Sequence, residues 1–382
     1  MTGTHDAIVV GGGIVGASVG YHLARAGSDV VLVDREDEGR ATDAGAGILS
    51  PSTSARAESP EWFGLARAAL EYYPDLVQQL ESDGMGPTSF AQPGYLCVAP
   101  SSDRLDAFNR KLGRLKRLRD QHGTPAPGSV ESLDASTASD LFPPIDSPEG
   151  AFLSANAGRV DGQVVTNALL TAGRSHGLVV EAGDVTRIVL EDGAVRGVRT
   201  DSGGEIAAKA VVIAGGAWSP ELGTQLGVDL PVAPQRGQIA HLVVTDANTS
   251  EWPILAGWGT YIVPWDDGRL AVGATNEDGI GLDPRTTVTG VHELLEAALN
   301  LAPGLADAEL ADVRVGLRPT VSDRMPILGP VSTVDGAFVA TGHGPTGLLL
   351  GPYSGYVIAN LVRGNEDVIT PSLEPFSVSR FE

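Results

Sequence analysis

The stretch "HDAIVVGGGIVGASVGYHLARAGSDVVLVD", residues 5–34, decides the fold of this chain. An apolar run leads through the glycine-rich loop of residues 11–16 into a segment with helical periodicity, and a second apolar run ends at Asp34. This order predicts a strand, a tight turn, a helix and a second, parallel strand. Gly27 stands where a glycine commonly ends a helix, just before the second apolar run.

The glycine loop has the spacing G-x-G-x-x-G, which suits the binding of a dinucleotide. Gly11 makes the turn, Gly13 lets the backbone approach a pyrophosphate, and Gly16 lets the helix pack closely on the strand. The helix offers the unpaired N–H groups of its first residues, Ile14 and Val15, to the anion. The alternative is a glycine-rich turn that binds nothing.

Asp34, at the end of the second apolar run, is placed to accept a hydrogen bond from a ribose hydroxyl. This arrangement alone does not distinguish NAD from FAD. The segment that follows, residues 35–51, lacks the further strand and helix with which a nicotinamide-binding fold usually continues. A run of small residues, "ATDAGAGILSP", stands there instead.

The rest of the chain alternates helical and strand patterns. Helical periodicity covers residues 60–82, 103–121 and 289–300, and a further helix is expected after Asp161, which suits the N-cap position. The segment "PGYLCVAP" predicts a short strand, and Glu191-Asp-Gly-Ala predicts the turn of a β-hairpin.

These patterns predict a mixed α/β fold with two domains. A Rossmann-like cofactor domain is discontinuous and comprises residues 1–85, 155–230 and 315–382. An antiparallel, β-rich substrate-binding domain, residues 86–154 and 231–314, is inserted into it. The two kinds of pattern interleave along the chain, which favours an insertion over two successive domains.

Composition and charge narrow the range of partners. The chain has 382 residues, 42% of them hydrophobic, and a formal net charge of −22 with lysine only at Lys111, Lys116 and Lys209. This charge disfavours nucleic acid and anionic lipid as partners. A mildly acidic enzyme is one explanation, and adaptation to high salt is the one we favour. No apolar run is long enough to span a membrane and no export signal precedes the first strand, so we expect a cytoplasmic protein.

Six motifs carry a resemblance to a known family. In chain order they are "IVVGGGIVGASVGYHLARAG", "ATDAGAGILSP", "VVIAGGAWSP", "YIVPWDDGRLAVGAT", "VGLRPTVSDRMPILGP" and "GHGPTGLLLGP". The first and third occur in many flavoproteins, whereas the last two together are far more specific. Over most of its length the chain resembles the D-amino-acid oxidase (DAO) family of FAD-dependent oxidoreductases, which includes glycine oxidase, sarcosine oxidase and D-amino-acid dehydrogenases.

The resemblance implies a single, non-covalent FAD, with the backbone of Val185 offered to the adenine. The residues that it places along FAD are Gly11, Gly13, Ile14, Val15, Gly16, Asp34, Arg35, Arg40, Thr42, Ala46, Gly47, Val185, Gly215, Gly216, Trp218, Arg318, Gly342, Gly344, Pro345, Thr346 and Gly347.

A second G-x-G-x-x-G, residues 342–347, lies near the end of the chain. A second dinucleotide would need a further strand that ends in an acidic residue, and the remaining "LVRGNEDVITP" leaves little room for one. By resemblance this loop lies under the flavin ring, where backbone N–H groups stabilise the negative charge of the reduced flavin. Pro352 either kinks the helix that follows or, as we expect, occupies its first turn.

Three residues are candidates for the reacting end. By resemblance, Arg318 binds the substrate carboxylate through its forked guanidinium; the alternative is a structural ion pair. Tyr261 is either a hydroxyl donor to the same carboxylate or a core tyrosine. His343 either touches flavin or substrate, or is a structural histidine bonded to the backbone.

The reaction implied by the resemblance is oxidation of the C–N bond of an amino acid or secondary amine. Hydride transfer from the α carbon to flavin N5 gives an imine that water hydrolyses, and oxygen or an electron-transfer partner reoxidises the flavin. Pro345 stands where glycine-oxidase-like members have a second arginine, and Trp265 stands where many have a basic residue. These departures disfavour the smallest substrates of the family and permit a bulkier or less polar side chain, so we predict the reaction class and not the substrate. An aromatic hydroxylase is disfavoured because its later "GD" segment is missing; a flavin-binding subunit without its own turnover is the main alternative.

Cysteine occurs once, as Cys97. A single cysteine forms no intrachain disulfide and no thiolate metal cage, and the seven histidines show no paired metal spacing, so we predict no metal site. In an apolar strand Cys97 is expected to be a small buried hydrophobic residue, a covalent link to flavin being the less supported alternative.

Overall fold

The computed structural model describes residues 3–126, 128–245, 247–257, 259–366 and 371–381. The helices are α1 (Ile14–Arg25), α2 (Ala41–Ala44), α3 (Pro60–Ser82), α4 (Leu105–His122), α5 (Ala135–Leu141), α6 (Gly162–Ser175), α7 (Ser219–Gln225), α8 (Val288–Leu301) and α9 (Gly347–Val362). The strands are β1 (His5–Val10), β2 (Val30–Asp34), β3 (Ile48–Leu49), β4 (Tyr95–Ala99), β5 (Val130–Leu133), β6 (Gly150–Ser154), β7 (Gly158–Arg159), β8 (Val179–Ala182), β9 (Val185–Glu191), β10 (Ala194–Thr200), β11 (Glu205–Ile213), β12 (Val232–Val243), β13 (Ile254–Gly257), β14 (Thr260–Pro264), β15 (Arg269–Gly273), β16 (Glu309–Val321), β17 (Ile327–Pro330) and β18 (Ala337–Thr341).

The first sheet has the order β17-β18-β11-β1-β2-β8, and the hairpin β9-β10 is joined to it through β11. β1 pairs in parallel with β2 on one side and with β11 on the other. The predicted strand, turn, helix and parallel strand are therefore confirmed. The glycine loop lies at the carboxyl end of β1. The chain continues from β1 to β2 on one side and returns later to β11 on the other side, and open α/β sheets bind their ligands at such a point.

The second sheet has the order β16-β12-β15-β14-β13-β4-β6-β5. Its strand pairs are antiparallel except for β13 with β4. The longest pairing joins β12 to β16 and places Gln235 opposite Arg318. The predicted fold class, a Rossmann-like part with an antiparallel β-rich part, is confirmed.

Glycines let α1 lie very close to its neighbours. A Cβ on Gly16 would lie 1.8 Å from the carbonyl oxygen of Gly11, and a Cβ on Gly355 would lie 2.4 Å from the Cβ of Ser18. The backbone of α1 therefore touches both the glycine loop and α9. This packing brings the amino ends of α1 and α9 to the same region of the molecule.

Most local predictions are confirmed. α3 has the predicted bounds, and α4 and α8 begin and end within two residues of theirs. The Asp161 side chain accepts hydrogen bonds from first-turn amides of α6, as an N-cap does. Asp192 and Gly193 have φ values of 51° and 77°, the left-handed pair that a two-residue hairpin turn requires. Gly27, with φ of 86°, follows the end of α1.

The prediction for Pro352 is wrong. It is not in the first turn of its helix, because α9 begins at Gly347 and Pro352 lies inside it. A proline has no N–H for the carbonyl four residues earlier, which here belongs to Leu348. The hydroxyl of Tyr73, on α3, donates a hydrogen bond to that carbonyl instead. A bond from another helix thus replaces the one that proline lacks, and α9 begins early enough to reach the second glycine loop.

Replacing Tyr73 tests this substitute bond. Tyr73→Phe leaves the buried Leu348 carbonyl without a donor, so we expect the free energy of unfolding to fall by about 1–3 kcal/mol, measured by urea denaturation. Pro352→Ala supplies the missing N–H, so Tyr73→Phe should cost much less in that background. Equal losses in the two backgrounds would contradict this account of α9.

Candidate active site

A cavity of about 590 Å³ lies at the carboxyl end of β1 and extends to the second sheet. Its walls come from the loops after β1, β2 and β11, from the second glycine loop, and from residues of β14 and β16 in the second sheet. The predicted site residues that line it are Gly11, Gly13, Ile14, Val15, Asp34, Arg35, Arg40, Thr42, Ala46, Gly47, Val185, Gly215, Gly216, Trp218, Tyr261, Arg318, His343, Gly344, Pro345 and Gly347.

Three predicted residues lie behind this wall. Gly16 packs against the first glycine loop, as described above. Gly342 has φ of 76°, and a Cβ there would lie 2.7 Å from the Val321 side chain. Thr346 donates a hydrogen bond from its hydroxyl to the His343 carbonyl at 2.8 Å. These residues shape the two loops.

The first glycine loop presents only some of its amides to the cavity. Gly11, with φ of 109°, passes so close to the neighbouring strand that a Cβ would lie 2.6 Å from the Ala214 carbonyl oxygen. The amide of Ile14 donates to the Thr42 hydroxyl at 3.0 Å. Within the described part of the chain, the N–H groups of Gly13 and Val15 have no acceptor and remain available to a bound anion.

Asp34 ties this loop to the segment after β2. One of its carboxylate oxygens accepts from the amide of Gly12. The other accepts from the amide of Glu36 at 2.7 Å and from Nη1 of Arg40 at 3.2 Å. The carboxylate is therefore fixed at the cavity wall, in the position from which a ribose hydroxyl is usually bound.

The second glycine loop offers a smaller set of donors than its sequence suggests. Pro345 has no N–H, and the amide of Thr346 donates to the His343 carbonyl at 3.2 Å. Among the residues described, the amides of Gly344 and Gly347 have no acceptor. The amino end of α9 stands directly behind them and adds its partial positive charge.

Arg318 lies flat against the neighbouring strand of the second sheet. A Cβ on Gly237 would lie 2.2 Å from Nη2 of Arg318, so only glycine leaves room for the guanidinium. Nη1 donates to the side-chain oxygens of Gln235 at 3.2 Å and Asn276 at 3.0 Å, and to the carbonyl of Thr275 at 3.0 Å. All three acceptors are uncharged.

No carboxylate of the described residues pairs with Arg318. Burial lowers the pKa of its guanidinium, although an arginine stays charged at any physiological pH. A half-buried cation held only by neutral acceptors is unfavourable without an anion. The guanidinium is therefore suited to pair with a negatively charged ligand.

Tyr261 faces the same end of the cavity. It lies opposite Gly273 in the β14–β15 pair, and a Cβ on Gly273 would lie 2.4 Å from its hydroxyl oxygen. Burial raises the pKa of Tyr261, and the charge of Arg318 opposes this shift. The hydroxyl makes no hydrogen bond with any residue in the described ranges, so it is free to donate to a ligand.

His343 is buried and held by α9. Its Nε2 lies 3.0 Å from the hydroxyl of Ser354, a side-chain partner where we had considered a backbone one. Burial lowers the pKa of His343 to about 4, so the ring is neutral at neutral pH. It lines the cavity without adding positive charge.

The sequence connected Pro345 and Trp265 with the substrate, and the structure places only one of them at the cavity. Pro345 lines the cavity, as expected. Trp265 does not: it is buried in the second sheet's core, where the guanidinium groups of Arg159 and Arg269 each lie 5.2 Å from its ring. It therefore carries no inference about the substrate. Cys97 is buried in β4 and does not line the cavity, in agreement with a structural role.

Sequence reasoning missed Asn276, which lines the cavity and bonds to Arg318. It stands two residues beyond β15, just past the end of a motif that was recognised. The signal available was its place immediately after "VGAT", but only the pairing of β12 with β15 and β16 brings it to the arginine.

The scan against protein families matches residues 6–361 to the FAD-dependent oxidoreductase model named DAO. The chain belongs to the DAO family of FAD-dependent oxidoreductases. It is 40% identical over 362 residues to the oxidoreductase YurR of Bacillus subtilis (strain 168), covering 94% of this chain and 95% of that one. It is 30% identical to the glycine oxidase of Geobacillus kaustophilus (strain HTA426), covering 100% and 98%.

Solved structures agree with this membership. Iminodiacetate oxidase from Chelativorans sp. BNC1 superposes with a TM-score of 0.91 at 35% identity, over 97% of this chain and 98% of the other. Glycine oxidase from Geobacillus kaustophilus gives a TM-score of 0.87 at 30% identity, over 98% of each chain.

The cavity of this DAO-family enzyme fits its cofactor, FAD. Free amides and the fixed Asp34 carboxylate stand at one end, where a pyrophosphate and ribose require donors and an acceptor. The free amides of Gly344 and Gly347 stand at the other end, beside Arg318 and Tyr261. In the part of the chain that the structure describes, no cluster of His, Cys, Asp or Glu suits a metal, and no helix could cross a membrane.

Replacing Asp34 tests the cofactor end. Asp34→Ala frees the Gly12 amide and leaves Arg40 with Asp43 as its only carboxylate, so we expect the Kd for FAD to rise about 10- to 100-fold. Titration of the apoprotein with FAD, followed by fluorescence, measures the change. Asp29→Ala, at the opposite end of β2, is the matched control and should leave the Kd unchanged; similar values for both variants would contradict the assignment.

Proposed function

We propose that this enzyme oxidises the C–N bond of an amine that carries a carboxylate, such as glycine, sarcosine or a D-amino acid. The observation that carries the proposal is Arg318, a guanidinium in the cavity with only neutral acceptors around it. The names of two relatives, glycine oxidase and iminodiacetate oxidase, indicate substrates of this class.

Binding fixes the orientation of the substrate. Nη2 of Arg318 makes no hydrogen bond among the described residues and, with Nη1, can hold a carboxylate by charge-assisted bonds. The Tyr261 hydroxyl donates to the same carboxylate. Together they aim the bond between the α carbon and its hydrogen at the cofactor. The chemistry that FAD supplies is hydride acceptance at N5, which turns the amine into an imine that water hydrolyses.

The second glycine loop and His343 complete the site. The free N–H groups of Gly344 and Gly347 are suited to stabilise negative charge on the bound cofactor, with the amino end of α9 behind them. His343 contacts the cofactor or substrate as a neutral group, and Ser354 fixes its ring. The residues that we placed along FAD bind it non-covalently.

The domain bounds, the electron acceptor and the location of the enzyme are further parts of this proposal. We assign the FAD-binding domain to residues 1–85, 155–230 and 315–382, and the substrate-binding domain to residues 86–154 and 231–314. Oxygen or an electron-transfer partner accepts the electrons, and the enzyme works in the cytoplasm.

Anaerobic reduction of the flavin tests the proposed reaction. The FAD-loaded enzyme is mixed without oxygen with glycine, sarcosine, proline and D-amino acids in turn, and the visible flavin band is followed. We expect at least one of these amines to bleach it, and recovery in air would identify oxygen as the acceptor. A flavin that binds normally yet is bleached by none of them would overturn the proposal in favour of a flavin-binding subunit.

Arg318→Ala should weaken substrate binding by roughly 2–5 kcal/mol, because the carboxylate then loses its charged partner. The measurement is the substrate dependence of anaerobic flavin reduction. Arg314→Ala, on the same strand but paired with Asp312, is the matched control and should bind substrate normally. Unchanged kinetics in Arg318→Ala would refute its role.

The acidic surface suits a high-salt cytoplasm. With 48 acidic and 26 basic residues, repulsion between carboxylates opposes folding until salt screens it. We expect both activity and melting temperature to rise between about 0.1 M KCl, where the screening length is still about 10 Å, and several molar. A flat response would leave a mildly acidic enzyme without salt adaptation.

A further inference from the structure

Arg56 lies beside the reacting end of the cavity, in a short helical turn of residues 55–58. A Cβ built on Gly344 would lie 3.3 Å from Nη2 of Arg56 and 4.0 Å from the carbonyl oxygen of Pro319. Gly344 and Pro319 both line the cavity, and Pro319 directly follows Arg318. A second guanidinium therefore stands next to the strand end that carries the first.

Arg56 has no anionic partner among the residues described. Its Nε donates weakly to the carbonyl of Arg324 at 3.4 Å, and its two terminal nitrogens make no hydrogen bond there. Burial, and then the charges of Arg324 and Arg318, lower the pKa of Arg56 to about 10. The group thus remains charged at neutral pH, half-buried and close to two further arginines.

The rest of the protein shows how unusual this is. Acidic residues outnumber basic ones by 48 to 26. Among the described residues, most other half-buried or buried arginines have a carboxylate at close range, as Arg40 and Arg236 do, whereas Arg114 bonds to the Thr53 carbonyl. Like charges held together without an anion are costly. Arg318 lines the cavity and Arg56 stands behind its wall at Gly344, so a ligand with two negative groups would compensate both charges.

We propose that Arg56 binds a second anionic group of the substrate, so that the preferred substrate is an amine with two carboxylates. The inference rests on the proposed function, because it takes Arg318 as the partner of the first carboxylate. Arg56 does not itself line the cavity; its long side chain would reach the second carboxylate past Gly344, which has no side chain to block it.

Paired substrates test this specificity. Iminodiacetate and sarcosine are both secondary amines, and both carry a carboxymethyl group on nitrogen. The other substituent on nitrogen is a second carboxymethyl group in iminodiacetate and a methyl group in sarcosine. We expect wild-type enzyme to be reduced anaerobically at a lower concentration of iminodiacetate than of sarcosine. Arg56→Gln should raise the half-saturating concentration of iminodiacetate about 10- to 100-fold and change that of sarcosine less than about threefold. Arg56→Lys should recover part of the loss.

Arg67→Gln is the matched control, since Arg67 pairs with Glu71 on the exposed side of α3 and its loss should leave both substrates unaffected. Equal losses for both substrates in Arg56→Gln would show a structural role and overturn the inference. So would a wild-type enzyme that does not prefer iminodiacetate over sarcosine, a comparison that needs no variant to fold.

Binding of unreactive anions tests the role of Arg56 independently of the proposed oxidation reaction. Malonate and acetate differ by one carboxylate, and neither is an amine, so their binding can be titrated without turnover by following the flavin spectrum. We expect malonate to bind more tightly than acetate to wild-type enzyme, and Arg56→Gln to remove most of the difference. If no amine reduces the flavin, the proposed function fails, while the malonate comparison still decides whether Arg56 binds an anion. If sarcosine reduces the flavin but malonate and acetate bind alike, only the second subsite is wrong.

Discussion

The charge of Arg318 is the constraint on which the functional end of this structure depends. The guanidinium lies over Gly237, where any side chain would displace it, and each acceptor around it is neutral. A structural arginine at this depth would be expected to have a carboxylate beside it, because desolvating a cation without compensation is costly. Under the proposed function the substrate supplies that carboxylate, so the charge of Arg318 is compensated only on binding, and binding then fixes the geometry of the reacting carbon.

The two glycine loops have similar sequences and different physical tasks. The first lies at the end of a central parallel strand and keeps the amides of Gly13 and Val15 free for an anion. The second has lost one donor to Pro345 and another to an internal turn, and it relies on the amino end of α9. Within that helix, the Tyr73 hydroxyl donates to the Leu348 carbonyl that Pro352 leaves without an N–H partner. Residues of both loops line the same cavity, and under the proposed function one cofactor contacts both.

The sequence predicted features that depend on nearby residues. The βαβ unit, the Asp161 cap and the hairpin at Asp192 follow from local periodicity and turn chemistry, and most of the residues placed along FAD line one cavity. The position of Pro352 was wrong because it depends on a hydroxyl on a distant helix. The connection of Trp265 with the substrate was wrong, because its place in a motif does not show whether its side chain faces the cavity or the core of the sheet. Asn276 and Arg56 were missed because only tertiary packing brings them to Arg318 and Gly344.

An ion-pair network outside the cavity holds the segment that supplies neutral acceptors to Arg318. Although burial opposes ionisation, hydrogen bonds from Arg236 and Gln238 lower the pKa of Glu277, so this carboxylate stays charged and bound. The backbones of Arg236 and Glu277 also bond to each other in both directions. This anchors the segment immediately after Asn276, whose side chain, with the Thr275 carbonyl, holds Nη1 of Arg318. Arg236 is thus paired with the carboxylates of Glu277 and Asp283, whereas Arg318 in the cavity has only neutral acceptors and, under the proposed function, pairs with the substrate.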